Sequence, residues 1–110
     1  MGIAHELILR WSKVIDPEVN IDVITLKLIY DLDVDDKNMI VNFKFKPTVP
    51  TCPIGHQLAL QVYYEVAKDD SIKEINMEIT EYIYADKINI LIKEIEEERR
   101  KKSEVKNHVQ

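Results

Sequence analysis

Two segments of alternating apolar and polar residues, joined by one short polar turn, constrain the fold of this chain most. Residues 24–34 and residues 39–46 repeat with a period of two, and Asp-Asp-Lys-Asn at 35–38 separates them. A period of two is typical of a strand with one buried face, and a polar segment of four residues fits the turn of an antiparallel hairpin. The hairpin has one apolar face, so other segments of the chain must cover it.

Three further segments have the apolar spacing of helices, and one more has that of a strand. The helical segments are residues 3–14, 53–68 and 86–102, and the third strand lies within residues 72–84. Asp16-Pro17-Glu18 ends the first helix, because the residue before a proline is driven out of the helical region. Asp86 is expected to be the N-cap of the last helix.

The order helix–strand–strand–helix–strand–helix predicts an α+β fold, a two-layer sandwich with the helices on one face of a small sheet. A right-handed crossover through the middle helix is expected to place the third strand beside the first, in a mainly antiparallel sheet of order 2-1-3. The water-facing side of that sheet is expected to carry Thr25, Lys27, Lys44, Lys46, Asn76 and Glu78. Residues 1–102 then form a single domain, and residues 103–110 are expected to be a frayed C-terminal tail.

Charge and composition exclude several classes of function. The net charge of −5 argues against nucleic acid or an anionic membrane as a partner, since both require a basic surface. No apolar segment is long enough to span a bilayer. Two glycines leave no glycine-rich phosphate loop, and the single cysteine excludes an internal disulfide. A reducing, cytoplasmic location is the expectation.

The single cysteine, Cys52, lies in a proline-rich segment, Pro47-Thr48-Val49-Pro50-Thr51-Cys52-Pro53. Proline is favoured at the first position of a helix, so Pro53 predicts that Cys52 is the N-cap of the helix that follows. Free backbone N–H groups and the positive end of the helix dipole would then face the sulfur. A thiol in such a position is a candidate nucleophile or metal ligand. The alternative is a small apolar residue buried at a helix start.

Two blocks of the sequence carry a resemblance to a known family. Asp16-Pro17-Glu18 and Thr48-x-Pro50-x-Cys52, in this order and at this distance, resemble the iron–sulfur cluster assembly factors of the PaaD/SufT type. The eukaryotic members of that family are targeting factors of cytosolic iron–sulfur assembly. The resemblance covers approximately residues 3–101, and residues 86–99 are most similar to the eukaryotic type.

The chain departs from the bacterial pattern of this family at two places. Many bacterial members have Leu-Gly-Leu in the first strand, where this chain has Leu26-Lys27-Leu28. Many also end the third strand in a Pro-x-Trp motif, where this chain has the stretch Thr80-Glu81-Tyr82-Ile83-Tyr84. Any function tied to the Pro-x-Trp end is therefore in doubt, but neither departure affects Cys52.

The resemblance implies an accessory or targeting factor that helps deliver clusters to apo-proteins through a reactive Cys52, and not an enzyme. It also implies that Thr48, Asp16, Glu18 and Pro50 line the site. One thiolate cannot hold an iron–sulfur cluster, which needs about four protein ligands. No tightly bound cofactor is therefore expected, only transient iron or a cluster bound to Cys52 or shared between chains. The implied partners are other iron–sulfur assembly proteins and apo-protein acceptors, and a homodimer is left open.

Two other functions remain open on the residues alone. The first is a thiol-dependent enzyme with Cys52 as nucleophile and His56 or Glu18 as base, although no complete catalytic constellation is visible. The second is a protein–protein adaptor with a structural cysteine, for which a change on the last helix such as Arg99→Glu would matter more than one at Cys52. Without the resemblance, Asp16 and Glu18 are interpreted as solvated or capping residues, and Thr48 as a loop residue bonded to its own backbone.

Overall fold

The computed structural model describes residues 2–108 of the chain, with side chains up to residue 102. Its elements are, in order, α1 (Ile3–Trp11), β1 (Ile15–Asp16), β2 (Ile21–Asp22), β3 (Ile29–Asp35), β4 (Ile40–Phe45), α2 (Gly55–Ala67), β5 (Glu74–Ile79) and α3 (Ala85–His108). The predicted α+β class is confirmed. The short strands β1 and β2 form a separate two-stranded hairpin, and β3, β4 and β5 form the main sheet.

The strand order of the main sheet differs from the prediction. The order is β3-β4-β5, with β3 and β4 antiparallel and β4 and β5 parallel, so the third long strand lies beside the second and not the first. β4 takes the centre because its alternate residues Val41, Phe43 and Phe45 are all buried. β3 is left at the edge, where its aspartates and a register irregularity between Tyr30 and Asp33 are tolerated.

The predicted hairpin is confirmed, but its first strand begins at Ile29 and not at residue 24. Residues 23–27 form turns, because the Asp22 carboxylate accepts hydrogen bonds from the backbone N–H groups of Ile24 and Thr25 and competes with strand pairing. Lys27 has φ 59°, which also interrupts an extended strand. Thr25 and Lys27 therefore do not lie on the sheet face where the alternation placed them.

The core lies between the sheet and the two helices α1 and α2. The apolar stripe predicted for α2 is confirmed, because all five of its members are buried: Leu58, Ala59, Val62, Tyr63 and Val66. Trp11 of α1 joins both layers, since its ring lies 4.9 Å from that of Phe43 and its Nε1 donates a 3.0 Å hydrogen bond to the carbonyl oxygen of Val62.

Side chains of α3 occupy the free edge of β5. Asn89 accepts a hydrogen bond from the N–H of Ile79 at 2.7 Å and donates one to its carbonyl oxygen at 3.1 Å. Glu96 accepts another from the N–H of Ile75 at 2.9 Å. These side-chain bonds satisfy backbone groups of β5 that would otherwise pair with a further strand, so the helix α3 covers this edge of the sheet.

The helix α3 differs from the sequence prediction at its start. It begins at Ala85, so Asp86 lies in its first turn and is not the N-cap, although a carboxylate there still stabilises the helix dipole. The helix is described to His108, and the side chains of residues 103–110 lie outside what the structure describes, so fraying of this tail stays a prediction. Within residues 2–108, no helix combines the length and apolar character that crossing a bilayer requires.

Candidate functional site

The predicted site lies in the loop between the central strand β4 and the helix α2, residues 46–54, which we call the cysteine loop. Two turns shape it: the N–H of Cys52 donates to the carbonyl oxygen of Val49 at 3.1 Å, and the N–H of Gly55 donates to that of Cys52 at 3.2 Å. Pro47 is buried, whereas residues 48–51 are exposed. The loop therefore projects its middle into solvent and returns to the core at Cys52.

Cys52 is not the N-cap of α2. The helix begins at Gly55 with Ile54 as its N-cap, because the turn closed by the Gly55 N–H and the Cys52 carbonyl oxygen occupies the two residues between them. The Cys52 side chain is only 1% exposed and belongs to the hydrophobic core. Its sulfur thus lacks the helix-terminal position on which the sequence argument for an activated thiol rested.

Asp16 is fully buried, contrary to the interpretation of a solvated residue. One carboxylate oxygen accepts the N–H of Glu18 at 2.9 Å, and the other accepts the hydroxyl of Thr48 at 3.3 Å. The backbone carbonyl of Asp16 also accepts the N–H of Asn20 at 2.7 Å, which closes the β1–β2 hairpin. Asp16 therefore connects that hairpin to the cysteine loop, and the two sequence blocks meet at this carboxylate.

The other candidate residues are placed differently. Glu18 is exposed, and in the described part of the chain its side chain makes no hydrogen bond to the cysteine loop. Pro50 is exposed, and its carbonyl oxygen accepts the N–H of Ile83 at 3.0 Å. His56 is exposed in the first turn of α2, and among residues 2–102 no hydrogen bond joins its side chain to Cys52. The structure thus gathers Asp16, Thr48 and Cys52 around one loop, but leaves Glu18 outside it.

We expect alanine at Asp16 to lower the free energy of unfolding by about 1–3 kcal/mol, because its fully buried carboxylate accepts hydrogen bonds from the Glu18 N–H and the Thr48 hydroxyl, and both bonds would be lost. The matched control is Glu18→Ala in the same tripeptide, which should change that free energy by less than about 0.5 kcal/mol since the side chain is exposed. Urea unfolding of both variants measures the difference. Equal losses would contradict the connecting role of Asp16.

Two residues at this site were not predicted from the sequence, Tyr82 and Gly55. Tyr82 is 8% exposed, and its hydroxyl donates to the carbonyl oxygen of Cys52 at 3.1 Å. A β-carbon on Gly55 would lie 2.9 Å from the Tyr82 ring, so only glycine fits beneath it. Glycine is unfavourable in a helix. Its presence in a segment with helical periodicity was therefore the one sequence signal that another side chain packs closely against the backbone there.

Burial raises the pKa of the Tyr82 hydroxyl, and the charge that Cys52 would carry as a thiolate raises it further. Tyr82 therefore remains a protonated donor at neutral pH. Among the described residues, no group of three or more His, Cys, Asp or Glu side chains could hold a metal ion. In the described part of the chain, the candidate ligands at the loop are Cys52, Asp16 and the exposed Glu81, which pairs with Lys46 at 3.8 Å, and they form no such group, so the donor set does not fit a resident metal.

The fold and the loop define a class: a small α+β domain in which a proline-flanked cysteine loop leads from the central strand into a helix. A family model described as "Iron-sulfur cluster assembly protein" matches residues 10–78, more than half of the chain and including the whole cysteine loop. The chain therefore belongs to the iron–sulfur cluster assembly protein family, as the resemblance predicted.

Two curated relatives and one solved structure are similar to this chain. The Fe-S protein maturation auxiliary factor SufT of Staphylococcus aureus is 35% identical over 66 residues, 60% of this chain and 74% of that protein. An uncharacterized protein of Methanocaldococcus jannaschii is 31% identical over 83 residues, 76% of this chain and 86% of that one. The crystal structure of a domain of unknown function, DUF59, from Bacillus anthracis has a TM-score of 0.61 at 23% identity, covering 81% of this chain and 86% of that one, and supports the fold alone.

Proposed function

We propose that this chain is a cytoplasmic accessory factor of iron–sulfur protein maturation, which helps deliver clusters to apo-proteins through Cys52. Family membership and the relative named as a maturation auxiliary factor support the class of function. The observation that carries the proposal is the hydrogen bond between Thr48 and Asp16, because it joins the two sequence blocks at the cysteine loop.

The cluster is cargo in this proposal and not a resident cofactor. Cys52 supplies one thiolate, and a cluster needs about four protein ligands, so the acceptor, a donor protein or a second copy of the chain must supply the others. Asp16, Thr48 and Pro50 keep the loop in shape, and none of them needs to bind iron for this. The partners are therefore other iron–sulfur assembly proteins and apo-protein acceptors, and the chain acts without turnover of a small substrate.

A second candidate is an adaptor in which Cys52 is only structural, and the burial of Cys52 favours it. Arg99→Glu is unsuitable for testing it, because Arg99 donates to the Glu96 carboxylate at 2.8 Å and to the Ile72 carbonyl oxygen at 3.0 Å and thus stabilises the fold. Ile90 is 61% exposed on α3, so Ile90→Asp changes the surface of the helix alone. An adaptor acting through α3 would lose activity on Ile90→Asp and keep it without the thiol.

The class of function is tested by activating an apo-enzyme that needs a [4Fe–4S] cluster, with an anaerobic cluster donor, in the presence and absence of this chain. The proposal expects the rate of activation to rise with the concentration of the chain and then to saturate, since transfer would pass through a specific complex. Glutathione at the same thiol concentration is the control for nonspecific thiol effects. An activation rate that is independent of the chain would contradict the proposal.

A further inference from the structure

The thiol of Cys52 is buried, although most of the loop around it is exposed to solvent. Cys52 is 1% exposed, while Val49, three residues before it, is 49% exposed and Pro50, Thr51 and Pro53 are exposed as well. A thiol that forms bonds with an outside partner must be reached by that partner. Some segment of the chain must therefore move before Cys52 can react.

The segment between β5 and α3, residues 80–84, is attached to the cysteine loop at Cys52 itself and two residues before it. The Tyr82 hydroxyl donates to the carbonyl oxygen of Cys52 at 3.1 Å, and the Ile83 N–H donates to that of Pro50 at 3.0 Å. These bonds connect segments about thirty residues apart in the chain. Hydrogen bonds from a neighbouring segment thus stabilise the conformation of the cysteine loop, in addition to the loop's own turns.

The ring of Tyr82 packs against the start of α2. A β-carbon at Gly55 would lie 2.9 Å from two ring carbons and 3.2 Å from the hydroxyl oxygen. Glycine therefore lets the ring come close enough for its hydroxyl to reach Cys52. A tyrosine phenol is protonated at neutral pH, and burial raises the pKa of Tyr82 further, so its hydroxyl is a donor whenever the ring is in place.

The same segment contains an unfavourable backbone conformation. Glu81 has φ 52°, in the left-handed region that residues other than glycine rarely adopt. Its ion pair with Lys46, at 3.8 Å, is largely exposed and therefore weak. The segment is held in place against this strain by the Tyr82 ring, by the two hydrogen bonds to the cysteine loop and, at its start, by Thr80, whose N–H donates to the Phe45 carbonyl oxygen at 2.9 Å and whose hydroxyl bonds to that of Tyr30. The contacts of Tyr82 and Ile83 lie outside the pairing of β4 with β5, so they can break while that pairing stays intact.

We propose that residues 80–84 are a latch, with Tyr82 as its positioning residue, which covers Cys52 at rest and exposes the thiol when it opens. The inference rests on the proposed function, since an exposed thiol is what cluster delivery would need. Ile83 is 59% exposed, so the latch can be reached from solvent although the thiol cannot.

The test is the rate at which excess iodoacetamide alkylates Cys52 in the folded protein, where the thiolate sulfur bonds to carbon, iodide leaves and the proton goes to the buffer. Tyr82→Phe removes only the hydroxyl, and we expect it to accelerate alkylation about fivefold, the factor that corresponds to one ordinary hydrogen bond. Tyr84→Phe is the matched control, because Tyr84 is 50% exposed and its ring only contacts that of Tyr82 at 5.6 Å. It should leave the rate unchanged.

Gly55→Ala is a second variant that opens the latch without changing Tyr82, because the new methyl group must displace the ring. We expect it to accelerate alkylation as well. Low urea concentrations separate latch opening from unfolding of the whole domain, since local opening exposes little surface and its rate depends weakly on urea. The latch would be overturned if Tyr82→Phe and Gly55→Ala were alkylated at the rate of the unchanged protein. It would also be overturned if the alkylation rate depended on urea as steeply as global unfolding does. Alkylation involves no cluster or acceptor, so this result is independent of whether the chain matures iron–sulfur proteins.

Discussion

Replacing Glu96 with alanine is expected to lower the free energy of unfolding by about 3–5 kcal/mol, an unusually large effect for a charged residue of a helix. Glu96 is 4% exposed on α3. Its carboxylate accepts the Tyr63 hydroxyl at 2.8 Å, the Ile75 N–H at 2.9 Å and the Arg99 Nε at 2.8 Å. One side chain therefore joins α2, β5 and α3.

The effect is large because alanine would leave three donors without their acceptor. The Ile75 N–H lies on the edge strand β5, and no other strand is there to accept it. Arg99 would keep a partly buried positive charge with its counter-ion removed, which is more unfavourable than the loss of a neutral hydrogen bond. Burial raises the pKa of Tyr63, and the Glu96 carboxylate raises it further, so the phenol remains a protonated donor that needs this acceptor.

Glu97→Ala is the matched control for Glu96→Ala, since Glu97 is the adjacent residue of the same helix and is exposed. It should change the free energy of unfolding by less than about 0.5 kcal/mol. Thermal unfolding followed by circular dichroism, with urea unfolding beside it, measures both variants. Losses that agree within about 1 kcal/mol would mean that the buried carboxylate does not join the three elements.

Local periodicity was sufficient to predict the helices and the hairpin, because apolar spacing reports which face of an element is buried. It could not predict the strand order. That order depends on which strand has the better-covered apolar face, and in β4 the three residues of one face, Val41, Phe43 and Phe45, are all buried, while β3 carries aspartates. The start of β3 was also misplaced, since the Asp22 side chain competes for backbone N–H groups that an alternation of residues does not reveal.

The sequence pointed to residues of the candidate site but not to their geometry. The sequence pointed to Cys52, Thr48 and Asp16, and the structure brings the last two together at one loop. It left open whether Cys52 is buried or caps the helix, because Pro53 is compatible both with a first helical position and with the turn that the structure has there. Tyr82 was expected only in the core or at its rim, since a contact between residues thirty positions apart leaves no local pattern.

The role of Glu96 was missed for a related reason. The sequence assigns residues 94–102 to a solvated helix face, with Glu96 and Arg100 as an i,i+4 pair, and that pair exists at 3.8 Å. The shorter bonds of Glu96 go to Arg99, Tyr63 and Ile75, two of which lie on other elements. In the sequence, a charged helix residue that accepts a hydrogen bond from an edge strand looks the same as one that is exposed to solvent. Only the packing of the helix against the sheet distinguishes the two.

The second large effect concerns activity. Cys52→Ala is expected to fold and to abolish the rise in apo-enzyme activation that this chain produces, because no other thiol is present to bind or pass on a cluster. Removing one buried sulfur should lower the free energy of unfolding by only about 1 kcal/mol. Val62→Ala is the matched control, since it truncates a fully buried residue of α2 and should destabilise the domain by about 1–3 kcal/mol.

The decisive measurement is the rate of activation of a [4Fe–4S] apo-enzyme by an anaerobic cluster donor, with the unchanged chain, Cys52→Ala and Val62→Ala compared at equal concentration and below their unfolding transitions. We predict that Val62→Ala activates as the unchanged chain does and that Cys52→Ala gives only the rate seen without the chain. Activation by Cys52→Ala at the rate of the unchanged chain would contradict the role of Cys52 and leave the adaptor as the better account.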